Sequence, residues 1–364
     1  MKVMPIVGVR PQIIKAAPVI HALMEDREIE MQLIHTGQHY DYEMSKAFFE
    51  NFRLPDPLKS LGIGGGSHGW QTGMMIMEIE KVAAQLSPDL ALVFGDANTA
   101  LAGALAAVKL RIPVAHVEAG LRSYDLSMPE EINRIIADRC SQRLFAPTKT
   151  AVFNLVREGF QKKSIFLTGD TMVDILRQNM SAVEKSDILG KIDVEPKTYA
   201  VLTLHRVENV EDPRKLRQVV QALVELNEVP IVFPVHPRTR DRLKEAGLEQ
   251  TLKHTAHMKT TMPLNYLDML KLMKESKLVL TDSGGIQKEA FLLGVPCITL
   301  REKTEWIETV RLRANKLVGV EPSKITREAR KILKDKPAKL RKLPNPFGDG
   351  KASEKIVRML KTRF

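Results

Sequence analysis

A rhythm of short apolar runs, each followed by a polar turn and a helix-period stretch, constrains this chain more than any other feature of its sequence. Val3 to Val7 leaves through Gly8-Val9-Arg10-Pro11 into Gln12 to Met24, which carries Ile13, Ala16, Ala17, Ile20 and Leu23 on one face. Gln32 to Thr36, Leu90 to Phe94, Ile112 to Ala115, Leu144 to Ala146 and Ile165 to Leu167 repeat the strand signal in the first half. Tyr199 to Leu204, Ile231 to Val235, Leu278 to Leu280 and Val295 to Leu300 repeat it in the second. Unbroken β-branched runs of this length suit strands covered on both faces. Strands alternating with helices imply right-handed βαβ units and parallel sheets, hence an α/β fold. At 364 residues the chain has room for two such domains. The crossing between them is expected at Thr168 to Asn179.

In open parallel sheets ligands bind outside the carboxyl ends of the strands, so the polar residues there are the candidates for chemistry. Asp96 follows one strand. Glu118 follows another, inside His116-Val117-Glu118-Ala119-Gly120-Leu121-Arg122, and a carboxylate ending an apolar strand must be paired, hydrated or used. The next helix is announced by Ser127 with Glu130, a capping-box spacing that accounts for Glu130, and by Pro129. Glu131 and Arg134 then sit one turn apart on it. Arg10 and Lys15 flank the first helix start, where they either help backbone N–H groups hold an anion or are two surface cations. In the second half, His205 and His236 end successive strands, which points to a shared site. Thr281-Asp282-Ser283-Gly284-Gly285 opens a helix whose exposed N–H groups and serine hydroxyl suit a diphosphate. Glu289 could accept two hydrogen bonds from a ribose diol. A capping serine in a tight turn would explain Ser283 and its glycines but leave Glu289 without a role. The glycine-rich stretch Leu61 to Trp70 lacks the Gly-Lys-Ser/Thr ending of a P-loop and is expected to be a mobile loop.

Composition narrows the classes further. Cys140 and Cys297 are too few for a disulfide framework or a zinc site, and no histidine pair has metal-site spacing, so no metal is expected. No stretch approaches the ~18 uninterrupted apolar residues of a membrane span. The apolar run Met1 to Val9 is too short for a signal peptide, so a cytoplasmic protein is expected. The net charge of +11 comes largely from the segment between Arg311 and Lys342. Such a helical face is usually solvated, and aromatic content of 5% gives little stacking surface, so no nucleic-acid partner is expected.

Taken together, these residues resemble the non-hydrolysing UDP-N-acetylglucosamine 2-epimerases from Lys2 to the end of the chain. The matches run through Gly8-Val9-Arg10-Pro11 with Lys15, Thr36-Gly37-Gln38-His39, Gly95-Asp96 and the stretch from His116 to Arg122. They continue through Pro129-Glu130-Glu131 with Asn133 and Arg134, His205-Arg206 with Glu208, Asp282-Ser283-Gly284-Gly285-Ile286-Gln287 with Glu289, Arg301 with Thr304-Glu305, and Asn345 to Gly350. The resemblance implies a glycosyltransferase-B-like fold of two Rossmann-like domains facing a cleft. The domains would be 1–170 with 351–364, and 171–350, the helix Ala352 to Lys361 crossing back to the first. It implies that Arg10, His205, His236, Ser283, Gly284, Gly285, Glu289 and Arg301 hold UDP. Asp96, Glu118 and Glu131 would line the sugar pocket, with Lys15, Arg134 and His205 near the diphosphate and His205 among the catalytic groups. The implied reaction interconverts UDP-GlcNAc and UDP-ManNAc by eliminating UDP to give 2-acetamidoglucal and adding it back, with no cofactor, in a cytoplasmic homodimer. Tyr40 and Trp70 stand where bacterial members have basic residues that help bind a second, activating UDP-GlcNAc. Gln38, His39 and Gln71 of that regulatory site remain. Ala97 replaces a usual Thr, and Trp306-Ile307 replaces Arg-Pro. A hydrolysing epimerase releasing N-acetylmannosamine and a glycosyltransferase of the same fold are the alternatives.

Overall fold

The computed structural model describes residues 1–37, 48–335 and 340–362. The chain packs as two compact units, Met1–Gln178 with Asn345–Phe364, and Asn179–Pro344. The boundary expected after residue 170 precedes a helix, Thr171–Glu184, and the units divide inside that helix.

The first unit is built on a parallel sheet. Its strands are β1 (Lys2–Val7), β2 (Glu30–Met31), β3 (Ile34–His35), β4 (Lys59–Ser60), β5 (Leu90–Phe94), β6 (Val114–Val117), β7 (Arg143–Ala146) and β8 (Ile165–Leu167). Their order is β4-β3-β1-β5-β6-β7-β8, with β2 also on β1, and every pairing is parallel. Winding outward from β1 to β4 and restarting at β5 puts a topological switch point between β1 and β5. The apolar faces of β1 and β5 (Met4, Ile6, Ala91, Val93) pack with Met75 and Ile79 and with the small residues Ala100, Ala102 and Ala104. Each fully buried aliphatic side chain there contributes about 1.5–3 kcal/mol.

The second unit repeats the plan with β9 (Ala200–Thr203), β10 (Ile231–Pro234), β11 (Met258–Thr261), β12 (Leu278–Thr281), β13 (Cys297–Thr299) and β14 (Asn315–Leu317). Their order, β11-β10-β9-β12-β13-β14, puts its switch point between β9 and β12. Thr203 and Thr281 are partners in the register across it, and their hydroxyls meet at 2.6 Å. The basic helix Pro322–Lys334 packs Ile325 and Ala329 into the core and sends Arg330 to Glu228 at 2.5 Å.

The last helix, Ala352–Leu360, belongs to the first unit and packs on the helix Arg10–Glu25. Asp174 fixes its start, accepting from Ala352 N–H at 3.1 Å, Ser353 N–H at 2.9 Å and Ser353 Oγ at 2.7 Å. Two local expectations are corrected. The glycine-rich loop ends at Ser67, whose hydroxyl caps the helix His68–Leu86, so Gly69 and Trp70 are helical. The helix Pro129–Cys140 has Met128 at its N-cap and no capping box, because Ser127 Oγ donates to Asp125 at 2.6 Å instead. No described helix is long and apolar enough to cross a membrane.

Candidate active site

Both switch points carry the polar residues the sequence singled out. In the first unit β5 and β6 are in register, Phe94 opposite Val117, so the residues just beyond them, Gly95-Asp96 and Glu118, emerge side by side. Gly95 has a φ of 61°, and a Cβ there would lie 3.1 Å from both Glu118 Oε2 and Lys15 Nζ. Only glycine leaves room for that pair. Glu118 itself is buried with a φ of 72°, a left-handed conformation that costs a non-glycine residue about 1–3 kcal/mol and that tends to be retained at functional sites. Its carboxylate is paired with the ammonium of Lys15. Asp96 is paired with Arg134, at 3.1 Å from Nε and 2.5 Å from Nη2, and its side chain is 28% exposed, leaving it within reach of a ligand.

Arg134 also donates to Glu131 at 2.7 Å, which ties Asp96 and Glu131 to one guanidinium, while Glu118 stands beside Asp96 at the next strand end. Crowded carboxylates alone would repel, but here two cations stand among them. Glu131 differs from the other two. It is 1% exposed and accepts from Ser123 N–H at 2.9 and 3.0 Å, Ser123 Oγ at 3.0 Å and Tyr124 N–H at 2.8 Å. Those bonds fill its oxygens, so its geometry is that of a clamp on the loop after β6. Lys15 and Arg134, expected near a diphosphate, stand in the first unit against Glu118 and Asp96. The amides leading into the first helix, at Gly8 and its N-cap Val9, donate to Gln12 Oε1 at 3.0 and 3.3 Å. Gln12 Nε2 reaches across the switch point to Phe94 O at 2.9 Å. The first helix therefore offers an anion fewer amides than its sequence suggested. Arg10, at that helix's first position, lies 5.5 Å from the Phe48 ring.

In the second unit the pair of strand-end histidines does come together, with ring centroids 5.8 Å apart. His236 caps the helix Pro237–Glu245 through Nδ1, which accepts from Arg238 N–H at 3.3 Å. His205 is set by a residue that the sequence reading passed over as a turn. Asp282, wholly buried, accepts from His205 N–H at 3.0 Å and Arg206 N–H at 2.8 Å, and lies 3.4 Å from His205 Nδ1. Burial pushes the His205 imidazole below its ordinary value; Asp282 opposes this, and Arg206 and Arg238 reinforce it. His205 thus favours the neutral form. Ser283 sits at the N-cap of Gly284–Leu293, but its hydroxyl does not cap the helix, so capping does not account for this serine.

Glu289 is buried one and a half turns along that helix. Arg301 donates to Glu305 at 3.1 Å, and Glu305 lies so close over Gly284 that a Cβ there would meet it at 2.2 Å. Trp306 is buried and packs 3.7 Å from the Lys288 ammonium, a cation–π contact. Gln71, buried, accepts from Asn98 Nδ2 at 2.9 Å, whereas Gln38, His39 and Tyr40 lie outside the described residues. Among the described residues no cluster of three or more His, Cys, Asp or Glu has metal-binding geometry.

Two parallel α/β units, each gathering polar side chains or helix amides at a switch point, define the class: Rossmann-like proteins, a fold whose ligand sites lie at strand ends. The family model for UDP-N-acetylglucosamine 2-epimerase matches residues 21–361, and the chain belongs to that family. The UDP-N-acetylglucosamine 2-epimerase of Methanocaldococcus jannaschii is 48% identical, over 99% of this chain and 99% of its own. A crystal structure of the enzyme from that organism, in complex with UDP-GlcNAc and UDP, superimposes with a TM-score of 0.92, each chain covered to 99%. The UDP-2,3-diacetamido-2,3-dideoxy-D-glucuronate 2-epimerase of Pseudomonas aeruginosa is 44% identical over 99% of both chains.

Proposed function

We propose that this chain interconverts UDP-N-acetylglucosamine and UDP-N-acetylmannosamine by inverting C2 through elimination and re-addition of UDP. C2 of the sugar has no adjacent carbonyl, so simple enolisation is closed to it. In the proposed step a carboxylate removes the C2 proton while the C1–O bond to UDP breaks, giving 2-acetamidoglucal and free UDP. The proton then returns on the opposite face as UDP adds back to C1. What supports the reading above all is the pairing at the first switch point, Asp96 on Arg134 and Glu118 on Lys15. A carboxylate held by a cation is ionised and able to take a proton, and each such acid–base role contributes ~10²–10⁴ in rate. Glu131 acts by holding the loop after β6 and Arg134. In the second unit His205, His236, Ser283, the amides of Gly284 and Gly285, Glu289 and Arg301 would hold the nucleotide. Preorganised donors of this kind stabilise the charge on the departing diphosphate, usually the largest single contribution. Homodimer formation belongs to the same proposal.

The test is product analysis. Purified protein given UDP-GlcNAc, excess EDTA and no NAD should produce a mixture of UDP-GlcNAc and UDP-ManNAc, with deuterium at C2 of the product in D₂O. Stoichiometric free N-acetylmannosamine and UDP would make it a hydrolysing enzyme. Turnover of a 2,3-diacetamido uronate nucleotide in preference to UDP-GlcNAc would place it beside the Pseudomonas relative.

A further inference from the structure

Behind the strand ends of the first unit lies a polar network whose members the reaction above does not use. His116, the third residue of β6, is fully buried. Its Nε2 is 2.8 Å from the carbonyl oxygen of Gly95, and its Nδ1 is 2.7 Å from Asp138 Oδ1. Asp138 comes from the helix Pro129–Cys140 and is equally buried. Its second oxygen accepts from Gly120 N–H at 3.1 Å and lies 2.8 Å from Arg122 Nη2. Arg122 completes the chain of pairs with two 2.7 Å bonds to Glu158 and one to Leu121 O.

A carbonyl oxygen can only accept, so Nε2 donates to Gly95 O. Burial alone would raise Asp138, but His116 and Arg122 outweigh it and hold the carboxyl below its ordinary value, so it accepts from Gly120 N–H and pairs with Arg122. The ring thus spans from the Gly95 turn to the aspartate that holds the loop after Glu118.

The two groups that His116 and Asp138 hold are the ones next to the acid–base pair. Gly95 O belongs to the residue before Asp96, and Gly120 N to the loop two residues after Glu118. We propose that His116 is a positioning residue that locks the Gly95-Asp96 turn against the Glu118 loop, setting the spacing of the two carboxylates for C2 proton transfer. The role rests on the reading that Asp96 and Glu118 carry that transfer.

The experiment has two arms. Crystal structures of the wild type and of His116→Gln should show the Gly95 carbonyl shifted once the ring that holds it is gone. An undisplaced carbonyl would overturn the lock. In the second arm, His116→Gln, which keeps one side-chain donor, should lower kcat by ~10²-fold. UDP affinity should stay within about threefold, since the partners of that side chain, Gly95 and Asp138, belong to the first unit. Turnover within threefold of wild type, or a fall in UDP affinity that accounts for the loss, would overturn the positioning role. Should wild-type protein fail to epimerise UDP-GlcNAc, the functional reading falls separately. The crystal structures then decide the inference, with an undisplaced Gly95 carbonyl counting against it.

Discussion

At the switch point of the first unit the polar groups are carboxylates steadied by cations: Asp96 with Arg134, and Glu118 with Lys15. At that of the second they are a neutral-leaning histidine, a second histidine, and the amides and hydroxyl at the start of Gly284–Leu293. The sheets are built alike, and each fixes its strand-end loops with one wholly buried aspartate. Asp138 holds Gly120 N–H and His116; Asp282 holds the amides of His205 and Arg206. The backbone plan is therefore shared, and what differs is the charge placed on it. Carboxylates suit the handling of protons on carbon, and amides with imidazoles suit an anion.

The comparison is broken most severely by removing the buried aspartates. Asp138→Ala leaves His116 Nδ1 and Gly120 N–H without their acceptor and Arg122 with Glu158 as its one carboxylate, and should cost about 3–5 kcal/mol, measured by urea unfolding. Asp282→Ala strands neutral amides and should cost less, about 1–3 kcal/mol. Equal losses would mean that the charge contrast between the two networks is immaterial.

Function should separate by unit. Asp96→Asn and Glu118→Gln should each lose at least ~10²-fold in turnover while UDP affinity, by calorimetry, stays within a few-fold. Glu131→Gln should also lose turnover, with a lower melting temperature, because it loosens the Ser123-Tyr124 amides. Near-normal turnover in Asp96→Asn and Glu118→Gln would remove the proton-transfer assignment. Conversely, Glu289→Ala should weaken UDP binding by ~1–3 kcal/mol, and unchanged affinity would take Glu289 out of the nucleotide site.

The smallest effect expected is on pH. Burial holds the His205 imidazole below its ordinary value, and a neighbouring diphosphate would raise it, so binding takes up protons. UDP-GlcNAc, which does not itself titrate near neutrality, should therefore bind a few-fold more tightly as pH falls from about 8 to about 6. Calorimetry on the Asp96→Asn protein can read this without turnover. Persistence of the same dependence after His205→Asn would assign the proton elsewhere.

Much of the candidate site was legible before the fold. Asp96, Glu118, His205 and Ser283 all stand at strand ends, because a short apolar run followed by a polar residue marks where a parallel strand emerges. The Ser127 capping box misled because its spacing is local while the hydroxyl answered to Asp125, two residues away. Asp138, Asp282 and Gln12 went unrecognised as organisers for another reason. Each works by bonding groups far along the chain, such as Phe94 O from Gln12, and no spacing rule records such a bond.

The sequence by itself determined the α/β class, the parallel sheets and the residues waiting at strand ends, because strand and helix periodicity and turn chemistry are properties of neighbouring residues. Tertiary structure decided the partners of His116, the clamping of Glu131, the pairing of Lys15 with Glu118 and the strained backbone of Glu118. Those depend on desolvation and on partners from distant segments, and a side chain's charge and task are set by what folding brings against it.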